Sequence, residues 1–197
     1  MNLRHFLLAL PLIGSLLPAL AAPIVITGAG VHFSRSSDCQ KVVLQEIDAE
    51  SQAVTQTRTI QILMYTFTDS TIADHLIAAA KNGVAVTVVL DASQASLKNS
   101  QYLPLKAALG DSVILCHGLP YPDGDGYGIM HEKLTVLGGN VVMEGSYNFT
   151  ASAHRYNWED LHLFAVQDIS PYQAEFNAVY NYAKANPTGP IHNSGGF

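Results

Sequence analysis

Apolar and polar positions change period repeatedly along this chain. Residues 24–33 read as a strand running into a Ser-rich turn at 34–37, after which Asp38 occupies a helix N-cap position. Val42, Val43, Leu44, Ile47 and Val54 then follow helical spacing. Residues 59–67 form an apolar, β-branched run that predicts a buried strand, and Asp69 and Ser70 precede a second helix over 71–81. That helix ends at Asn82-Gly83, and residues 84–90 are nearly continuous Val and Ala, the composition of a strand covered on both faces. Strand, helix and strand in this order predict a parallel β-α-β unit within an α/β sandwich. The pattern continues with a short helix over 103–109, a strand over 112–116 and a Gly- and Pro-containing loop over 117–128. Strands over 130–137, 141–146 and 160–166 follow, then a final helix over 171–185. The expectation is an α/β fold with a mixed β-sheet flanked by helices, in one domain over 22–185. A flexible Gly/Pro/Asn tail should occupy 186–197, and no internal repeat is visible.

The first residues follow another logic. Arg4 and His5 precede an apolar stretch over 6–20 that ends in the small-x-small pattern Ala19-Leu20-Ala21. With Pro11 and Pro18 inside it, the stretch reads as a secretory signal peptide over 1–21, and the expected location is periplasmic or secreted. The whole chain has 10 Lys+Arg and 16 Asp+Glu, a net charge of -6. Cleavage would remove Arg4 and no acid, leaving 9 − 16 = -7. That balance argues against broad coating of polyanions without excluding a small basic site. An exported compartment permits a disulfide between Cys39 and Cys116, whose spacing leaves the pairing open.

The chemistry concentrates between 131 and 159. Gly138-Gly139 joins two strand-like runs and predicts a two-residue hairpin turn in which Leu137 faces Asn140. In that register His131, Lys133, Glu144 and Ser146 share one side, with Asn148 beyond them if the strand continues. An imidazole, an ammonium, a hydroxyl and an amide on one patch suit a phosphate, although an exposed polar hairpin side would show the same alternation. Glu144 would stand beside Lys133 and offset part of its charge.

His131-x-Lys133, then Gly145-Ser146-Tyr147-Asn148-Phe149-Thr150, then Asn157-Trp158-Glu159, resembles the phospholipase D superfamily. The branch it resembles is that of short, secreted or anchored nucleases carrying one motif copy. The likeness extends over about 30–184, with 31–34 as the first strand, 62–68 as the second and Lys81-Asn82-Gly83 opening the next helix-strand junction. It implies that His131 attacks phosphorus to form a phosphohistidine and that Glu159 fixes its tautomer. It further implies that Lys133, Ser146 and Asn148 hold the phosphoryl oxygens. A second imidazole must act as general acid, so one motif copy implies a homodimer completing the site. Neither metal nor cofactor is expected. Where the motif carries Asp, this chain has Gly138. Five residues along a strand from Lys133 is about 16 Å at strand rise, so a carboxylate there would serve the turn rather than the phosphate. His32 and His117, at strand ends, are further candidates for substrate contact. Residues 123–126 (Asp-Gly-Asp-Gly) read as a turn rather than a calcium loop.

The leading expectation is therefore an exported phosphodiesterase, a non-specific nuclease on DNA or RNA. The alternatives are a phospholipase D releasing lipid headgroups and a silent phosphate- or nucleic-acid-binding homologue. The acidic mature chain favours neither polyanions nor anionic membranes, and stable membrane insertion is not expected after signal cleavage.

Overall fold

Near-continuous apolar runs in the central strands dictate a sheet covered on both faces. In this computed structural model, which describes residues 28–54 and 58–191, seven strands form one mixed sheet in the order β1-β7-β6-β5-β2-β3-β4. The elements are β1 (Gly30–Phe33), α1 (Cys39–Gln52), β2 (Thr59–Met64), α2 (Ser70–Lys81), β3 (Ala85–Asp91), α3 (Tyr102–Leu109) and β4 (Val113–Cys116). They continue with β5 (Lys133–Leu137), β6 (Val141–Gly145), α4 (Ala151–Arg155), β7 (Asp160–Ala165) and α5 (Ser170–Ala185). β2, β3 and β4 run parallel, and the other pairings are antiparallel. The expected signal peptide, residues 24–27 of the first expected strand and residues 192–197 of the tail lie outside the described residues.

Ile60, Ile62 and Met64 of β2 point into a core closed by α1, α2 and α3, whereas Leu63 points to α5. Val88 and Leu90 against Val89 repeat the division on β3. The period of two therefore supplies both cores from the same strands. The Asp38 carboxylate accepts from the Lys41 amide, and Asp69 accepts from Thr71 and Ile72. Each cap satisfies amides the helix leaves open, worth about 1 kcal/mol. Cys39 belongs to the α1–α3 core and Cys116 to the α5 core, so the sheet separates two free thiols. The disulfide left open by the sequence is absent, and burial pushes both thiols up to about 11.

Two expectations need correction. The hairpin turn holds three residues, not two: Leu137 faces Val141, Val136 faces Val142 and Leu134 faces Glu144. Gly138 and Gly139 both adopt positive φ, +55° and +80°, and Asn140 completes the turn. The added residue turns Glu144 to the α5 face, away from Lys133. Second, the described part of the tail, through residue 191, is tied back to the domain. The Ile191 amide donates to the Ala92 carbonyl at 3.0 Å, and Ser96 Oγ donates to the Ile191 carbonyl at 2.9 Å. Between β6 and β7, where the pattern marked no element, the chain forms α4, with the Thr150 hydroxyl accepting from the Ala153 amide as its cap.

Candidate active site

The C-terminal ends of β2 and β3, the start of β5, the end of β6 and the start of β7 all lie at one edge of the sheet. Open α/β sheets bind ligands at this edge because the strands there release loops around a crevice. An open cleft of about 610 Å³ lies there, lined by His131, Lys133, Ser146, Asn148, Glu159 and Asp160. All five residues singled out from sequence thus reach one cleft, though not by sharing a hairpin face. Beyond Gly145 the Ser146 and Tyr147 amides both donate to the Asp160 carbonyl, at 3.1 and 3.2 Å. That bulge-like step ends the strand parity and sends Tyr147 into the core while Ser146 reaches the cleft. Gly145 has φ +143°, and a Cβ there would collide with the Asp160 carbonyl oxygen.

Each cleft side chain has its spare capacity fixed by a local partner. Ser146 Oγ accepts from the Asp160 amide at 3.0 Å, leaving its proton to donate. Asn148 Oδ1 accepts from the Thr66 amide at 3.1 Å, which turns its NH₂ donors toward other acceptors. Lys133 Nζ donates to the His131 carbonyl at 2.7 Å and lies 3.1 Å from both ring nitrogens of His131. Partial desolvation, then the neighbouring Lys133 charge, lowers the His131 pKa, with Asp91 opposing. Desolvation and Lys133 both favour the neutral imidazole, whose lone pair can attack. Lys133 is likewise lowered by desolvation, while Glu159 and Glu132 favour its charged form.

Glu159 does not meet His131 within the chain. One of its oxygens accepts from Asn157 Nδ2 at 2.9 Å, and its backbone is clamped to Ser34 in both directions. Its charge favours the charged form of Lys133.

Sequence reasoning did not assign roles to the layer behind the cleft. The Tyr65 ring packs on His131 with centroids 4.5 Å apart, and Lys133 Nζ lies 5.1 Å from the Tyr65 centroid. Tyr65 Oη accepts from Gln94 Nε2, which also donates to Ser93 Oγ. Ser93 donates through its amide and hydroxyl to the buried Asp91 carboxylate. Asp91 Oδ2 also accepts from the Met130 amide at 2.7 Å, one residue before His131. The available signal was position: Tyr65 directly follows β2, and Asp91 ends β3.

A larger open groove of about 1170 Å³ adjoins the cleft on the α5 side and shares His131, Lys133 and Gly145 with it. Its other lining includes Met130, Leu134, Tyr172 and Val179, together with Glu132, Glu144 and Glu175. Burial, then Glu175 and Glu144, raises the Glu132 pKa. His117 also lines this groove, with its ring 3.8 Å from that of Tyr127. The loop over 117–128 is a short ribbon in which Pro120 pairs with Tyr127. Other histidines pair locally: His75 with Asp48 at 2.8 Å and His162 with Asp160 at 3.1 Å. His32 Nε2 lies 2.6 Å from the Gly28 carbonyl oxygen.

Comparisons with known proteins bear on the family and the fold. Residues 51–180 match the family described as "Cardiolipin synthase, PLD-like domain". A phospholipase D of Rickettsia typhi is 29% identical over 138 residues, covering 70% of this chain and 60% of the relative. The chain thus spans somewhat under two thirds of that protein. Among solved structures, NucT from Helicobacter pylori aligns with a TM-score of 0.68 at 23% identity, covering 78% of this chain and 95% of that one. Nuc from Salmonella typhimurium, a phospholipase D family member, aligns at 0.61 and 24% identity, covering 78% and 93%. At these identities the structural likenesses bear on the fold, a single α/β domain with a seven-stranded mixed sheet.

Proposed function

The chain belongs to the phospholipase D-like family, and from that premise we propose that it is an exported phosphodiesterase that cleaves nucleic acid through a phosphohistidine. The observation that carries the chemistry is the convergence, in one cleft, of the His131 imidazole with three donors: Lys133, Ser146 and Asn148. His131 attacks phosphorus as the bond to the leaving oxygen breaks, and a second imidazole gives that oxygen its proton. Water then attacks phosphorus, returns a proton to the second imidazole and releases His131. Lys133, Ser146 and Asn148 hold the non-bridging oxygens as charge develops on them. The second imidazole comes from the His131 of another copy, which makes the working unit a homodimer. Export rests on the leader pattern of residues 1–21.

Nucleic acid is favoured because the cleft is polar and open along the sheet edge, as a chain of phosphodiesters requires. The likeness to short single-motif nucleases supports the same choice. A second reading, phospholipase D, is favoured by the apolar part of the neighbouring groove and by the exposed Leu119, Tyr121 and Tyr127 beside it. Initial rates on single-stranded DNA, duplex DNA, RNA and phosphatidylcholine vesicles across a salt series separate the two. Expected are nucleic-acid cleavage with little sequence preference, loss of rate with added salt and activity that persists in a chelator. Headgroup release without nucleic-acid cleavage would replace the nuclease with the phospholipase.

A further inference from the structure

We propose that Trp158, backed by Arg35, is a stacking platform for an unpaired base at the rim of the phosphate cleft, directing the enzyme to single-stranded nucleic acid. The inference deepens the nuclease reading and rests on it. Trp158 is the one tryptophan of the chain, and 86% of its surface is exposed. An indole is among the largest apolar groups a protein can present to water, and here its neighbours are held rather than loose.

The clamp is made by backbone and side chain together. Ser34 Oγ donates to the Asn157 carbonyl at 2.7 Å, and the Glu159 amide donates to Ser34 Oγ at 2.9 Å. The Ser34 amide donates to the Glu159 carbonyl at 3.0 Å, and the Asn157 amide donates to the Ser152 carbonyl at 2.9 Å. Both residues flanking Trp158 are therefore fixed, and less order remains to be imposed when a ligand stacks on it.

Position and charge select the ligand. Trp158 directly precedes Glu159, a lining residue of the cleft, so its Cα lies about 3.8 Å from that of the lining residue. Arg35 follows the clamping Ser34, and its guanidinium carbon lies 5.9 Å from the indole centroid. It places a cation at the rim of a chain whose net charge is -6, where a neighbouring phosphate would find it. An aromatic face flanked by a cation beside a phosphate site matches base plus backbone, and every base offers a π-face. A duplex keeps those faces inside its own stack, so the platform discriminates by strandedness rather than sequence.

The single tryptophan is its own reporter. His131→Ala protein, which cannot consume the probe, is titrated with a 12-residue oligothymidylate and with a duplex of equal length while Trp emission is followed. Saturable quenching by the single strand is expected, with roughly tenfold weaker quenching by the duplex. In the otherwise wild-type protein, Trp158→Leu should raise KM for the single strand roughly 5- to 100-fold with a much smaller change in kcat. Trp158→Phe should recover part of the loss. Equal response to both probes, or unchanged KM in Trp158→Leu, overturns the platform while wild-type DNA cleavage leaves the nuclease reading standing. Wild-type protein that cuts no nucleic acid removes the nuclease reading itself. A blue shift with phosphatidylcholine vesicles but no quenching by oligothymidylate would assign Trp158 to a lipid surface. A blue shift that grows with protein concentration alone would assign it to contact between copies. Either result overturns the proposal.

Discussion

Two neighbouring depressions share His131, Lys133 and Gly145, yet they are built for different things. The larger, on the α5 side, combines apolar walls with Glu132, Glu144 and Glu175. The smaller, at the sheet edge, gathers His131, Lys133, Ser146 and Asn148, each with capacity left to attack or donate, while its two carboxylates, Glu159 and Asp160, are engaged by Asn157 and His162. A phosphoryl group carries negative charge that the groove's three carboxylates repel and the cleft's three donors attract. Volume alone would have chosen the wrong depression; the direction of the unpaired donors selects the smaller one.

That contrast can be broken in four places. His131→Ala should abolish turnover, at least about 10³-fold, while circular dichroism and melting stay near wild type, because the ring is exposed. Near-normal turnover would remove the mechanism. Lys133→Met should cost about 10²- to 10³-fold in kcat. It also removes the second-named cause of the depressed His131 pKa. Rate needs neutral His131, so the wild-type acid limb should fall below the ordinary histidine value of 6.5. In the Lys133→Met protein that limb should move up in pH, which a pH profile of kcat/KM reads directly.

The neighbouring groove should respond far less. Glu132→Gln with Glu144→Gln should change kcat/KM on DNA by less than about fivefold, and upward, since removing carboxylates eases phosphate approach. A loss of about a hundredfold would mean that the groove takes part in the chemistry. The smallest effect is expected at the far end of β5. Gly138→Asp should alter activity by less than about tenfold, because the turn is about 16 Å from Lys133 at strand rise. It should lower the melting temperature slightly, since φ is +55° there. A hundredfold rescue of an otherwise inert enzyme would contradict the geometry.

Most of the fold was legible because each strand run had one period and one set of breakers. Asp38 and Asp69 announced their helices by capping chemistry that acts within a few residues. The hairpin register was not legible. Gly138-Gly139 fits a two-residue turn, and only the observed pairing adds Asn140 to it. The residues picked from the sequence nevertheless converge on one cleft. His131, Lys133, Ser146 and Asn148 meet because several strands end together, and the step after Gly145 carries Ser146 to that edge. Glu144, which parity alone placed beside Lys133, moved to the other face. Tyr65, Asp91 and Gln94 escaped assignment because their partnership with His131 and Met130 depends on the order of β2, β3 and β5 in the sheet.

The central claim is that His131 becomes covalently phosphorylated. Wild-type protein mixed with a single-stranded DNA substrate should be quenched in alkali, which spares phosphohistidine, digested and read by mass spectrometry. A phosphodiester adduct on the peptide carrying His131, absent from Lys133→Met protein quenched at the same early time and from His131→Ala at all times, is the predicted result. Rapid cleavage by the wild type with no adduct at any time, and activity lost to a chelator and restored by magnesium, would contradict it.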